Sequence, residues 1–203
     1  MMRALTLLCA LVIALPAWAA DYAALVAAAR KGDGPVDWQA LRFAYADSPG
    51  FDAFGTKSIA LRKAMYGALQ RGDFREAASQ AERVLEANYV DIDAHAVCAT
   101  AYDKLGDTAP AKRHRDALAG LLDSIRTGDG KTPATAFTVI TVAEEYSVMR
   151  QLGLKTTGQA LLRDGAHAYD KLEGVDKQGR AQTYFFLIDR VVQAETDALK
   201  PKN

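Results

Sequence analysis

Asp91, Asp93 and His95 form a D-x-D-x-H string. Carboxylates and imidazoles are ordinary ligands of divalent metals. On a helix opening near Ile92, Asp91 and His95 stand four residues apart and share a face. A metal held by Asp91, Asp93 and His95 would need completing from elsewhere, with Glu145 or Asp129 as candidates. The same residues have a plainer use. Asp91 can cap the helix through its carboxylate, and His95 can bond locally. Both readings stand at this point.

Other chemical candidates are weaker. Gly128-Asp129-Gly130-Lys131-Thr132 has the look of a phosphate loop, but a P-loop needs glycine five residues before its Gly-Lys pair. Ile125 occupies that place, on a helical pattern. Glu144 and Glu145 are adjacent, so a helix points them about 100° apart, a poor arrangement for a general acid and base. His114 lies in the basic run Lys112-Arg113-His114-Arg115, which reads as a solvated helix face, and His167 is isolated. There is no G-x-S-x-G, H-E-x-x-H or C-x-x-C. No catalytic residue and no cofactor is assigned, and the chain reads as non-catalytic.

The elements that must carry these residues are mostly helical. Tyr22, Leu25, Val26 and Ala29 recur at helical spacing before Gly32-Asp33-Gly34-Pro35 breaks the pattern. A short helix over 37–45 follows, then a loop over 51–56 with Phe51 and Phe54 expected inside. Leu61, Ala64, Met65, Ala68 and Leu69 form one apolar stripe, and Ala77, Ala78, Ala81, Val84 and Leu85 a second. Ala94, Val97, Cys98, Ala101, Tyr102 and Leu105 form a third. Leu118, Leu121, Leu122 and Ile125 form a fourth.

Two Gly-Asp turns, Gly72-Asp73 and Gly106-Asp107, separate these stripes at a 34-residue interval. A helix–turn–helix unit of that period resembles the tetratricopeptide repeat, with units over 58–91 and 92–125. Small residues stand at the close-contact points Ala77, Ala111 and Ala99, with Met65 in the first unit at the place of Ala99. The match is partial: Ala81 and Arg115 replace an aromatic, and Tyr89 and Asp123 replace the closing proline. Two such units need further support, from the N-terminal helices and the C-terminal part.

After Gly128-Asp129-Gly130 the pattern changes. Ala136–Ile140 reads as a strand. Thr141 with Glu144 makes a capping box for a helix through about Leu152. Asp164-Gly165 is a hairpin signal, and Gln182–Ile188 is a last strand before a helical tail. The expected fold class is α+β: mostly helical, with two tetratricopeptide-like helix pairs packed against a small antiparallel C-terminal sheet. The expected organisation is one compact domain over 20–203, helical over 20–127, with sheet and helix over 128–203.

Met1-Met2-Arg3, the apolar run Ala4–Leu15 and Ala17-Trp18-Ala19 read as a cleavable signal peptide over 1–19. The run is shorter than the roughly 20 residues of a membrane span. The expected location is therefore periplasmic or secreted, with no membrane anchor after cleavage. Cys9 leaves with the leader, so Cys98 has no intramolecular partner. It sits among alanines, a packing position; an intermolecular disulfide is its other use. Lys+Arg and Asp+Glu balance at 25 each. Without a basic excess, nucleic acid is excluded as the main partner.

The string Asn88-Tyr89-Val90-Asp91-Ile92-Asp93-Ala94-His95, with Ser124-Ile125, Gly128-Asp129-Gly130, Ala136-Phe137, Glu144-Glu145-Tyr146 and Tyr184-Phe185-Phe186, resembles an uncharacterised family of exported bacterial proteins (domain of unknown function 4919). The resemblance covers nearly all of 20–203 and implies no activity. The functional expectation is a protein or peptide partner held in a groove on the first helices of each unit, 58–71 and 92–105. The alternative is a metal-binding protein or metal-dependent hydrolase centred on Asp91, Asp93 and His95.

Overall fold

A computed structural model describes residues 17–32 and 34–200, with side chains from residue 22 onward. Residues 1–16, which hold the charged and apolar parts of the expected leader, lie outside the described residues. The chain is α+β. Helices α1 (Ala17–Lys31) and α2 (Trp38–Ala46) precede two helical hairpins, α3 (Ile59–Gln70) with α4 (Phe74–Ala87) and α5 (Ile92–Leu105) with α6 (Thr108–Ile125). Strand β1 (Phe137–Thr138), helix α7 (Val142–Gln151), strands β2 (Lys155–Asp164), β3 (His167–Val175) and β4 (Ala181–Leu187), and helix α8 (Asp189–Leu199) complete it.

Each hairpin turns where the sequence places its Gly-Asp pair. Gly72 and Gly106 take φ of 76° and 81°, a conformation that glycine adopts without Cβ strain. Asp73 then caps α4 by accepting from the Glu76 N–H. Asp91 caps α5 in the same way, accepting from the Ala94 N–H. Ala77, Ala81, Ala94, Ala101 and Ala111 are fully buried, so the helix axes can approach closely. The stripe of α4 is buried throughout. Against the helices, Trp38 of α2 lies over Gly120 of α6 so closely that a Cβ there would meet its Nε1 at 2.1 Å.

The sheet order is β1-β4-β3-β2, and it is mixed. β2–β3 and β3–β4 pair antiparallel, but β1 pairs parallel to β4, Phe137 beside Phe186. This corrects the expectation of an antiparallel sheet. β1 joins only after the chain has crossed α7, β2 and β3, and only Phe137 and Thr138 of the expected 136–140 strand are regular. The N–H of Val139 still reaches Leu187 O at 3.2 Å. The hairpin turns at Gly165-Ala166, one residue later than the Asp-Gly pair suggests, because Asp164 pairs with His167. Phe54 is 49% exposed rather than buried; Phe51 alone packs inward, edge-on to Tyr45.

One side chain joins the helical and sheet parts. Arg42 of α2 has no exposed surface. Its Nε and Nη2 donate to the two oxygens of Glu144 on α7 at 2.8 and 2.7 Å. Nη1 donates to Ser124 O at the end of α6 at 3.1 Å, and Nη2 to Thr138 O on β1 at 2.9 Å. Glu144 Oε2 also accepts from the Ile140 N–H at 2.8 Å. The capping box at Thr141 therefore forms one way only. Thr141 Oγ1 accepts from the Glu144 N–H at 3.2 Å, while the Glu144 carboxylate turns to Arg42.

Removing one partner of a buried ion pair strands the other charge. Arg42→Met should lower the unfolding free energy by about 3–5 kcal/mol in urea denaturation. Arg42→Met with Glu144→Met should recover part of that loss. A single variant within about 1 kcal/mol of wild type would show that the pair does not organise the fold.

Candidate functional site

Helices α4, α5 and α6 bring four polar side chains together, three of them buried and Glu82 partly exposed. His95 and Cys98 are one turn apart on α5 and fully buried. Glu82 comes from α4 and His114 from α6. His95 Nδ1 lies 2.9 Å from His114 Nδ1, His95 Nε2 lies 2.8 Å from Tyr89 O, and His114 Nε2 lies 3.1 Å from Glu82 Oε1. Tyr102 stacks on the His114 ring, centroids 5.7 Å apart and 15° from parallel, and donates to Glu82 Oε1 at 3.4 Å.

The protons on this chain follow from its ends. Tyr89 O can only accept, so His95 Nε2 carries a hydrogen. Burial pushes His95 down to about 4, so the ring is neutral and its Nδ1 is bare. That nitrogen accepts from His114 Nδ1–H. His114 Nε2 then faces Glu82, whose carboxyl is held below its usual range by the His114 hydrogen bond. Burial pushes the Cys98 thiol up. One ligand atom of each of Glu82, Cys98 and His114 lies within 4.8 Å of the other two.

This cluster reaches the surface at a groove of about 690 Å³ between α1–α2 and α4–α6. Glu82, Tyr89 and His114 line it, with Trp38, Arg30 and Arg113. The Arg30 guanidinium lies 4.7 Å from the Tyr89 ring centroid. The basic run of α6 was expected to be a solvated face, yet His114 is only 8% exposed. Its spacing explains this: Ala111, His114, Ala117 and Leu121 share the buried stripe of α6. That period was present in the sequence under the charges.

Asp91, Asp93 and His95 do not turn to a common point. Asp91 gives its carboxylate to the Ala94 N–H at 2.9 Å and to Arg62 at 3.1 Å. Asp93 accepts from Arg150 at 2.6 Å and from Ser147 Oγ at 2.9 Å. Both charges are neutralised by arginine, and His95 faces the other way, into the histidine pair. Asp129 is exposed and closes its own loop, accepting from the Lys131 N–H and Thr135 Oγ1 at 2.9 and 2.6 Å. The same contacts hold α7 against α5, one of the two helices where a partner groove was expected: Ser147 and Arg150 bind Asp93, and Arg62 of α3 reaches both aspartates.

Glu145 is fully buried under the sheet, and neither oxygen has a hydrogen-bond partner among the described residues. Burial first, and then the nearby Asp170 charge, push it up to about 9. Asp170 itself accepts from Gln159 Nε2 on β2 at 2.5 Å.

Glu145 sets a pH dependence. Its folded pKa lies above its unfolded one, so between about pH 4.5 and 9 the folded state holds a proton that the unfolded state has lost. Stability should fall as pH rises through that window, by at most about 1.4 kcal/mol per pH unit. Glu145→Gln should remove this slope, so the variant gains on wild type as pH rises from 6 to 8.5 in thermal melts. Parallel pH profiles for the two proteins would contradict the assignment.

The chain matches the family described as Domain of unknown function (DUF4919) over residues 33–197 and belongs to it. No curated protein and no solved structure matches it. Among the described residues, no helix is long and apolar enough to cross a membrane.

Proposed function

We propose that this member of the DUF4919 family is an exported, non-catalytic binding module that takes a short acidic segment of a partner protein in the groove between α1–α2 and α4–α6. The observation that carries this reading is the charge of the groove. Among the described residues, Arg30, Lys31, Lys112 and Arg113 line it, against Glu82 and Asp116. Both acids have partners within the fold: Asp116 pairs with Lys112 at 2.6 Å, and Glu82 with His114. The chain as a whole is neutral, so the excess is local. Charge of one sign in a concave site steers and selects a partner of the other sign.

The helical hairpins support the same reading by their resemblance to tetratricopeptide units, which present extended surfaces to peptides. Val36 and Trp38 add apolar contact at one wall. The leader that would export the chain is read from residues 1–19.

Trp38 lines the groove, so its fluorescence should report occupancy. Titration with Asp/Glu-rich decapeptides should give saturable quenching that weakens with salt, because exposed charges are screened. Arg30→Glu and Arg113→Glu should each weaken binding by about tenfold, near 1.4 kcal/mol. Acidic and basic peptides binding alike, or charge reversal without effect, would overturn the proposal.

A further inference from the structure

We propose that Glu82, Cys98 and His114 form a site for one zinc-class divalent ion, with His95 as a positioning residue. Three helices supply the donors, and their ligand atoms lie within 4.8 Å of one another. Thiolate sulfur, imidazole nitrogen and carboxylate oxygen are the donor types that zinc takes in four-coordinate sites. Three protein donors leave a fourth position. Glu82 and His114 both line the groove, so water or a ligand atom can reach that position from solvent.

The imidazole chain prepares the site. A metal-bound histidine normally donates its other ring N–H to a fixed acceptor, which sets the tautomer and ring orientation. Here His114 Nδ1–H donates to His95 Nδ1 at 2.9 Å, and His95 is held by Tyr89 O at 2.8 Å. His114 Nε2 is thereby aimed at Glu82 Oε1, 3.1 Å away.

The charge balances. Without metal, the cluster holds the Glu82 carboxylate and the Cys98 thiol, which burial keeps protonated. Binding M²⁺ displaces the Cys98 thiol proton to solvent, and the resulting thiolate and the Glu82 carboxylate together offset the dication. This differs from the D-x-D-x-H reading, because Asp91 and Asp93 are neutralised by Arg62 and Arg150.

The full chain, freed of metal with a chelator, should bind one Zn²⁺ by calorimetry, with release of the Cys98 thiol proton read by comparing buffers of different ionisation enthalpy. Co²⁺ should give a thiolate-to-metal charge-transfer band. Cys98→Ala should abolish that band. Glu82→Gln, at a partly exposed position, should weaken Zn²⁺ binding by at least tenfold, and His95→Gln by about 10- to 100-fold. Circular dichroism separates loss of ligation from loss of fold. Absence of stoichiometric binding in wild type, a Co²⁺ spectrum without a thiolate band, or unchanged affinity in Glu82→Gln would overturn the site. None of these outcomes bears on peptide binding, which is read with Zn²⁺ absent.

Discussion

Arg42 is a full charge with no surface in water, and the chain is arranged to satisfy it. An unpaired guanidinium in that place would carry a desolvation penalty of several kcal/mol. Glu144 meets it with both oxygens, and carbonyls from α6 and β1 accept further hydrogen bonds. These partners lie 82 to 102 residues away in sequence. The start of α7, the end of α6 and the first strand are therefore set relative to α2 by one side chain. β1 then sets the sheet, because its two residues pair with β4, and α7 is held against α5 through Asp93.

The same rule operates at the histidine pair, with a different result. There the buried donors and acceptors are satisfied in series, from Tyr89 through His95 and His114 to Glu82. A series has a direction. Its fixed end at a backbone carbonyl forces the tautomer of each ring, and its free end faces a groove with an excess of positive charge. The proposed binding site thus lies where a packing requirement meets solvent. At Glu145 the rule is broken: the carboxyl is buried without a hydrogen-bond partner and stays neutral through the physiological range instead.

The helical half was legible because periodicity reports burial directly. The stripe Ala77, Ala78, Ala81, Val84 and Leu85 needs only the 3.6-residue period, and Gly72 and Gly106 announce their turns by residue type. What periodicity cannot report is the partner. Nothing local to Arg42 or Glu144 announces a pair 102 residues apart. The parallel pairing of β1 rests on two residues and a long crossover, so strand propensity alone suggested an ordinary antiparallel neighbour. His114 was hidden by its charged neighbours, although its spacing from Ala111 and Leu121 carried the signal. The D-x-D-x-H string was visible as chemistry, but arginines on α3 and α7 neutralise its aspartates, and only tertiary structure brings them there.

The direction of the imidazole series is the claim on which the candidate site stands, and nitrogen NMR of the two rings in metal-free protein reads it directly. Long-range ¹⁵N–¹H correlation should show His95 as the neutral tautomer protonated at Nε2 with a bare Nδ1, and His114 carrying hydrogen on Nδ1. A hydrogen on His95 Nδ1, or a bare His114 Nδ1, would reverse the series and contradict the account.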